Sequence, residues 1–330
     1  MVEVAVHGAR GYLGRTLVGL LWSHPAIDAV HPVSSRAAGT AYGEAVPALS
    51  HVTTPMVGPG DEQALGAEVA MLATPGGVAK KLVPTLVEAG VGTIVDLSRD
   101  HRQQALEQVQ GWTYGLPELF PVEAGHQLIA GPGCYPTATL LSLAPALKAG
   151  MGGAGPLISD GKSGVSGAGA TPRPDLHFPE TNESLRAYKV TGHDHTLEIQ
   201  AAIDALEAGT MPARPVRFTP HLVPQNRGLL TTAYLPLAKE VSQEEVEPVY
   251  QDAYGGEPFV RFSGEPDTGH VRGTNLADVA VTVDDAAGLL VARCAIDNLV
   301  KGGAGSAVQA MNHSLGLPPT SGLPTVGVGP

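Results

Sequence analysis

The chain has 330 residues, 43% hydrophobic and 16% charged, a balance that suits a folded protein and excludes a disordered one. A formal net charge of -12 argues against a general nucleic-acid binder or a basic membrane-surface protein, and two cysteines provide no disulfide framework. The length predicts two domains and no apolar run is long enough to span a membrane; with the first strand starting at Val2, no room is left for a leader, and a soluble cytoplasmic protein is expected.

Residues 2–6 are apolar apart from Glu3 and alternate little, as in a strand covered on both faces. They run into Gly8-Ala9-Arg10-Gly11-Tyr12-Leu13-Gly14 and then an amphipathic pattern over 15–23. Strand, glycine turn and helix make the setting of a dinucleotide site, in which backbone amides meet a pyrophosphate at the helix start. Gly8, Arg10, Gly11, Tyr12 and Leu13 are the candidate residues, although the spacing is GxxGxxG and not GxGxxG. A second strand over 28–33 ends in Ser34-Ser35-Arg36, with no carboxylate for a ribose 2′-hydroxyl. Ser35 and Arg36 can instead hold a 2′-phosphate, so the predicted cofactor is NADP and not NAD. Strands over 68–73 and 93–97 end at Thr74 and Ser98, each a cofactor neighbour or a helix cap. Residues 112–119 read as a loop.

A buried strand at 128–130 leads to Gly131-Pro132-Gly133-Cys134-Tyr135-Pro136-Thr137 and an apolar run over 138–147. Pro136 and Thr137 suit a first helical turn, which sets Cys134 at the positive end of a helix, where thiolate is favoured. Cys134 is the candidate nucleophile; Cys294, inside an apolar strand, is expected to be inert core. A strand from 156 ends in the Gly/Ser-rich stretch 161–169, in which Ser163 and Gly164 can meet a phosphate or the nicotinamide end of a cofactor. Irregular structure is expected over 170–179.

His193-Asp194-His195-Thr196-Leu197-Glu198 opens a helix through 206, with Thr191 or Asp194 as its expected cap. The two histidines are two residues apart, unlike the i, i+4 pair of a zinc helix, so no metal is expected. Either imidazole can serve Cys134 as acid–base, and Glu198 can orient a histidine or contact substrate. Residues 219–228 precede a strand at 229–235 and include Arg227, a candidate clamp for a carboxylate or phosphate. A polar helix over 244–254 and strands at 279–283 and 289–295 complete a mostly antiparallel sheet. Small residues over 297–312 predict a tightly packed helix, with Asn298 set to reach the nicotinamide amide, and a frayed tail from Pro318.

Taken together and in this order, Gly8 to Gly14, Pro132 to Thr137, Ser163 to Gly169, His193 to Ile199, Thr219-Pro220-His221-Leu222 and Asp297 to Gly302 resemble the N-acetyl-gamma-glutamyl-phosphate reductases of arginine biosynthesis, relatives of aspartate-semialdehyde dehydrogenase. The resemblance implies an α/β fold: a Rossmann-type NADP-binding domain over 1–135 and 297–330, and an α+β catalytic and oligomerisation domain over 136–296, with the C-terminal helix returning to the first domain. It implies NADPH-dependent reduction of an acyl phosphate through a thioester on Cys134, with His195 or His193 moving the proton and a homodimer or homotetramer as the assembly. Ser166, Tyr188, Glu198, His221 and Arg227 are the implied substrate contacts. Three departures stand out: Gly131 where the family usually has Asn, Ala170 in place of Arg, and Asp194 and Leu197 within a His-Arg-His-x-Pro-Glu pattern. The missing Arg leaves open a cousin substrate, carrier-protein-linked α-aminoadipyl phosphate; a non-catalytic NADP-sensing module is the reading of another class.

Overall fold

Short apolar runs separated by helices pair side by side in the first part of the chain, every pair parallel. In the computed structural model, which describes residues 1–207, 214–262 and 264–327, these runs are β1 (Val2–His7), β2 (Ile27–Val33), β3 (Val69–Leu72), β4 (Thr93–Asp96), β5 (Trp112–Tyr114) and β6 (Leu128–Ala130). Their order in the sheet is β2-β1-β3-β4-β6-β5. All residues of β3 and β4 are buried, because elements cover both faces of a parallel sheet, and the two polar ones, Thr93 and Asp96, are hydrogen-bonded. β5 corrects the loop expected at 112–119: it is a three-residue strand at the sheet edge, paired with β6 and too short to show a periodic pattern. The chain divides into two compact units, Met1–Pro132 with Gly303–Leu323, and Gly133–Gly302 with the chain from Pro324. Gly133, Cys134, Tyr135, residues 297–302 and the chain from Pro324, read from the sequence with the first domain, group with the second unit.

The helix Gly305–Ser314 belongs to the first unit and is buried along nearly its whole length. Polar side chains fasten it there: Asn312 Oδ1 lies 3.0 Å from His24 Nε2, and Ser314 Oγ lies 2.9 Å from Thr93 Oγ1. The following residues are not frayed as expected. Asn312 Nδ2 donates to the carbonyls of Pro319 and Ser321, and the Leu323 side chain is buried.

In the second unit β7 (Leu157–Gly164), β8 (Arg186–Ala187), β9 (Val216–Val223), β10 (Leu229–Pro236), β11 (Val260–Phe262), β12 (Ala277–Asp284) and β13 (Leu289–Ile296) form a mixed sheet ordered β11-β12-β13-β10-β7-β9-β8. β9, which the sequence reading treats as an approach to the next strand, is itself a full strand parallel to β7. Burial alternates strictly along β10, so Leu230, Thr232, Tyr234 and Pro236 are half-exposed on one face. The helix Cys134–Lys148 packs on this sheet, and its residues from Tyr135 to Leu147 are all buried. Pro145 lies inside that helix and cannot donate to the carbonyl of Leu141. The hydroxyl of Tyr254 donates to that carbonyl at 2.5 Å, and Tyr250 donates to the carbonyl of Ser142 at 2.7 Å. The helix Gln243–Tyr254 thereby replaces the hydrogen bond that the proline removes. No described helix is long and apolar enough to cross a membrane.

Candidate active site

The glycine turn after β1 is built by steric necessity. Gly8 has φ +77, and a Cβ there would lie 2.4 Å from the carbonyl oxygen of Ala73. The next helix, Tyr12–Trp22, begins three residues before the expected start, with Gly11 as its N-cap and no side-chain cap. Its first-turn amides are thus left for a ligand or solvent, as an anion site requires. Gly8, Gly11 and Leu13 line this turn half-exposed, while Arg10 and Tyr12 are exposed. The Arg15 guanidinium lies over the Tyr12 ring and its Nε donates to the carbonyl of Arg10. Ser35 and Arg36 follow β2 as exposed residues, and the Arg36 amide makes a long bond of 3.4 Å to Ser34 Oγ. Thr74 Oγ1, just beyond β3, is buried with no hydrogen-bond partner among the described residues. Open amides, an exposed cation and an unmatched hydroxyl past the strand ends fit the pyrophosphate and 2′-phosphate of NADP.

Beyond β4 the sequence reading misses a buried polar group. Asp96 accepts from the amide and hydroxyl of Ser98, and its Oδ2 lies 2.7 Å from His101 Nδ1. The His101 ring stacks on Trp112 at 4.0 Å. Arg102, also buried, donates from Nε to the carbonyl of Gly131 and from Nη2 to that of Leu97. Its place in the polar run Ser98 to Arg102 after an apolar strand is the one signal that marks it.

In the second unit Cys134 is the first residue of its helix, half-buried, with Gly133 as N-cap. The helix starts two residues before Pro136, and its dipole points its positive end at the cysteine. Glu198, expected near a histidine or the substrate, is buried and accepts the Gly133 amide at 2.8 Å. A carboxylate 65 residues away therefore fixes the turn that presents the sulfur.

Tyr135 joins that turn to both imidazoles. Its ring centroid lies 6.0 Å from that of His193 and 5.9 Å from that of His195, and the two imidazoles are 4.6 Å apart. Phe218 and Tyr188 close the cluster, with Tyr188 at 5.6 Å from His193. Burial pushes the phenol pKa of Tyr135 and Tyr188 upward, so both rings stay neutral. The helix Asp194–Leu206 is capped by neither Thr191 nor Asp194: His193 Nδ1 accepts the amide of His195. A ring nitrogen that accepts leaves the proton on Nε2. Burial, aided by the Lys189 charge, lowers the His193 pKa to about 4, so this imidazole is neutral at pH 7.

The remaining predicted residues are tied into the scaffold. Gly164, Val165 and Ser166 donate their amides to the carbonyls of Gly228, Gln225 and Asn226. Ser163 Oγ donates to the carbonyl of Gly164. Asn298, expected at the nicotinamide, accepts the Gly228 amide through Oδ1 and donates to Ser166 Oγ through Nδ2, so both ends of its amide hold protein. Arg227, expected to clamp substrate, pairs with the buried Asp297 at 3.1 Å. His221 Nδ1 faces the carbonyl of Gly161 at 3.3 Å, and the His221 carbonyl accepts the Tyr135 hydroxyl at 3.0 Å. Among the described residues there is no group of three or more His, Cys, Asp or Glu able to hold a metal.

Residues 3–126 match the NAD binding domain of semialdehyde dehydrogenases, and residues 134–298 match their dimerisation domain. The N-acetyl-gamma-glutamyl-phosphate reductase of Brevibacillus brevis is 40% identical, with 100% of each chain covered. That of Methanocaldococcus jannaschii is 39% identical, again with 100% of each chain covered. The chain belongs to the N-acetyl-gamma-glutamyl-phosphate reductase family. Its fold is that of the wider semialdehyde dehydrogenases: the aspartate semialdehyde dehydrogenase of Candida albicans, solved with NADP, superposes with a TM-score of 0.71 at 17% identity, over 96% of this chain and 99% of that one. Of the three departures from the family pattern, Gly131 has its amide and carbonyl bonded to Asp96 and Arg102 through backbone and guanidinium, so no side chain is needed there to hold the turn.

Proposed function

We propose that this protein reduces N-acetyl-gamma-glutamyl phosphate to N-acetylglutamate semialdehyde and phosphate with NADPH, through a thioester on Cys134. The observation that carries the reading is a half-buried cysteine at a helix start, its turn held by a buried carboxylate and its neighbouring ring packed on two imidazoles. Cys134 Sγ bonds to the γ-acyl carbon, the bond from that carbon to the phosphate oxygen breaks, and phosphate leaves with the electron pair. NADPH, when bound, supplies the hydride that reduces the acyl group. Gly8, Arg10, Gly11, Tyr12 and Leu13 would hold its pyrophosphate, Ser35 and Arg36 its 2′-phosphate, and Thr74 a polar group beyond β3. When the C–S bond breaks, its electron pair returns to Sγ and the aldehyde is released.

His195 is the assigned proton carrier, giving a proton to the tetrahedral oxygen and taking it back on collapse. His193 is the less suited of the two, because its Nδ1 is committed to capping and its pKa of about 4 leaves it neutral. Ser166, Tyr188 and His221 remain the substrate-facing residues in this reading, while Glu198 and Arg227 act by holding backbone and Asp297. The half-exposed face of β10 supports self-association into a homodimer or homotetramer. Two free cysteines suit a reducing cytoplasm.

The test is phosphate-dependent reduction of NADP with N-acetylglutamate semialdehyde, compared with aspartyl and carrier-linked aminoadipyl semialdehydes. The reading requires turnover with the acetylated substrate and its loss in Cys134→Ala. Full activity in that variant, or preference for another semialdehyde, would end it.

A further inference from the structure

The segment after β13 does not go directly into an α-helix. Val300–Ala304 forms a π-helical turn, an arrangement that costs regular hydrogen bonding and recurs at functional sites. Asp297 holds this turn from both of its ends. Its carbonyl accepts the amide of Gly302 at 2.9 Å, the five-residue reach of a π-turn. Its carboxylate, fully buried, accepts the amides of Leu299 at 2.8 Å and Val300 at 3.1 Å through Oδ1, and that of Gly273 at 2.7 Å through Oδ2. Arg227 Nη2 adds a charged donor to Oδ1 at 3.1 Å. Lys301, buried in the same turn, has its Nζ 5.5 Å from the Phe259 ring.

The turn delivers Gly302 against the cysteine. A Cβ built on Gly302 would lie 2.7 Å from Cys134 Cβ, 3.2 Å from Cys134 Cα and 3.1 Å from Ile296 Cδ1. No carbon pair tolerates the first of these distances, and neither Cα nor Cβ of Cys134 is a free end that can swing aside. The backbone at Gly302 is therefore a wall on which the base of the Cys134 side chain rests. From the wall side it fixes the Cα–Cβ bond that aims the sulfur; Glu198 fixes the preceding amide.

We propose that Asp297 and Gly302 are positioning residues for Cys134: the carboxylate holds the π-turn, and the turn seats the nucleophile. The proposal rests on the reading of Cys134 as the reacting group. It gives Arg227 a role through Asp297 in place of direct substrate binding. A displacement of about 1 Å at a reacting atom costs on the order of a hundredfold in rate.

The experiment compares wild type, Gly302→Ala and Asp297→Asn in two assays. One is steady-state reduction, separated into kcat and KM; the other is alkylation of Cys134 by iodoacetamide, followed by peptide mass against pH. Gly302→Ala is expected to lower kcat about a hundredfold with KM within about threefold, and to slow alkylation with an altered pH profile. Asp297→Asn keeps Oδ1 as the acceptor for the Leu299 and Val300 amides but loses the charge facing Arg227 and the oxygen that accepts the Gly273 amide, so the same changes are expected at about tenfold. It decides the matter if the alanine variant does not melt cooperatively. Wild-type alkylation and kcat in the folded variants overturn the proposal, and so does a rise in KM with kcat unchanged. If the wild type reduces none of the acyl phosphates tested, the function reading fails, while the alkylation comparison still judges the seating of the cysteine.

Discussion

Glu198→Ala separates a residue that binds substrate from one that holds the nucleophile's turn. Glu198 is 6% exposed, and its Oε1 accepts the buried amide of Gly133 at 2.8 Å. Removing it leaves that amide unsatisfied, and a hydrogen bond to a charged group contributes about 1.5–3 kcal/mol. For a unit of this size each kcal/mol moves the midpoint by about 2–4 °C, so calorimetry should show a fall of about 3–12 °C. The turn carrying Cys134 then loosens, and kcat should fall about a hundredfold with little change in KM. Glu198→Gln keeps an acceptor oxygen and should recover most of the thermal loss. An unchanged midpoint, or a rise in KM alone, refutes the reasoning and returns Glu198 to the substrate.

His193 binds a proton at about 4 when folded and at 6.5 when unfolded, so its contribution to stability is complete above pH 6.5 and lost as pH falls toward 4. His193→Asn preserves an N-cap acceptor and should flatten the urea stability profile across that window, while retaining turnover that His195→Asn abolishes; parallel profiles contradict this. Arg36→Ala should raise KM for NADPH about 10–100-fold and leave KM for NADH unchanged, through loss of a charge-assisted contact; an equal effect on both cofactors rules out a 2′-phosphate role. Arg214 makes a bidentate buried pair with Glu207 and also donates to the carbonyl of Gly153. Arg214→Met should cost about 3–5 kcal/mol in urea unfolding, with most of it recovered when Glu207→Leu is added; a loss below about 1 kcal/mol would make the pair a surface-like one.

What the sequence makes legible here is local. The parallel strands β1 to β4 and β6, the Gly8 turn and the apolar run of the Cys134–Lys148 helix follow from neighbouring residues, whereas β5 and β9 carry no such local signal. Element starts are less visible where the cap is silent: Gly11 and Gly133 offer no side chain, so the helices begin earlier than the amphipathic pattern indicates. His193 is a rare cap, which hides its role behind its chemistry. The partners of Glu198, Arg227 and Asn298 lie 65, 70 and up to 132 residues away, and no spacing rule reaches that far. Sequence reading thus identifies polar residues of the site, while the hydrogen bonds that Glu198, Arg227 and Asn298 make within the protein lie beyond its reach.

The most direct measurement omits NADPH. Enzyme mixed with N-acetyl-gamma-glutamyl phosphate alone should release a burst of phosphate stoichiometric with active chains, and acid-quenched peptides should carry the acetylglutamyl group on Cys134. A burst that persists in Cys134→Ala, or an adduct found on any other residue, contradicts the account.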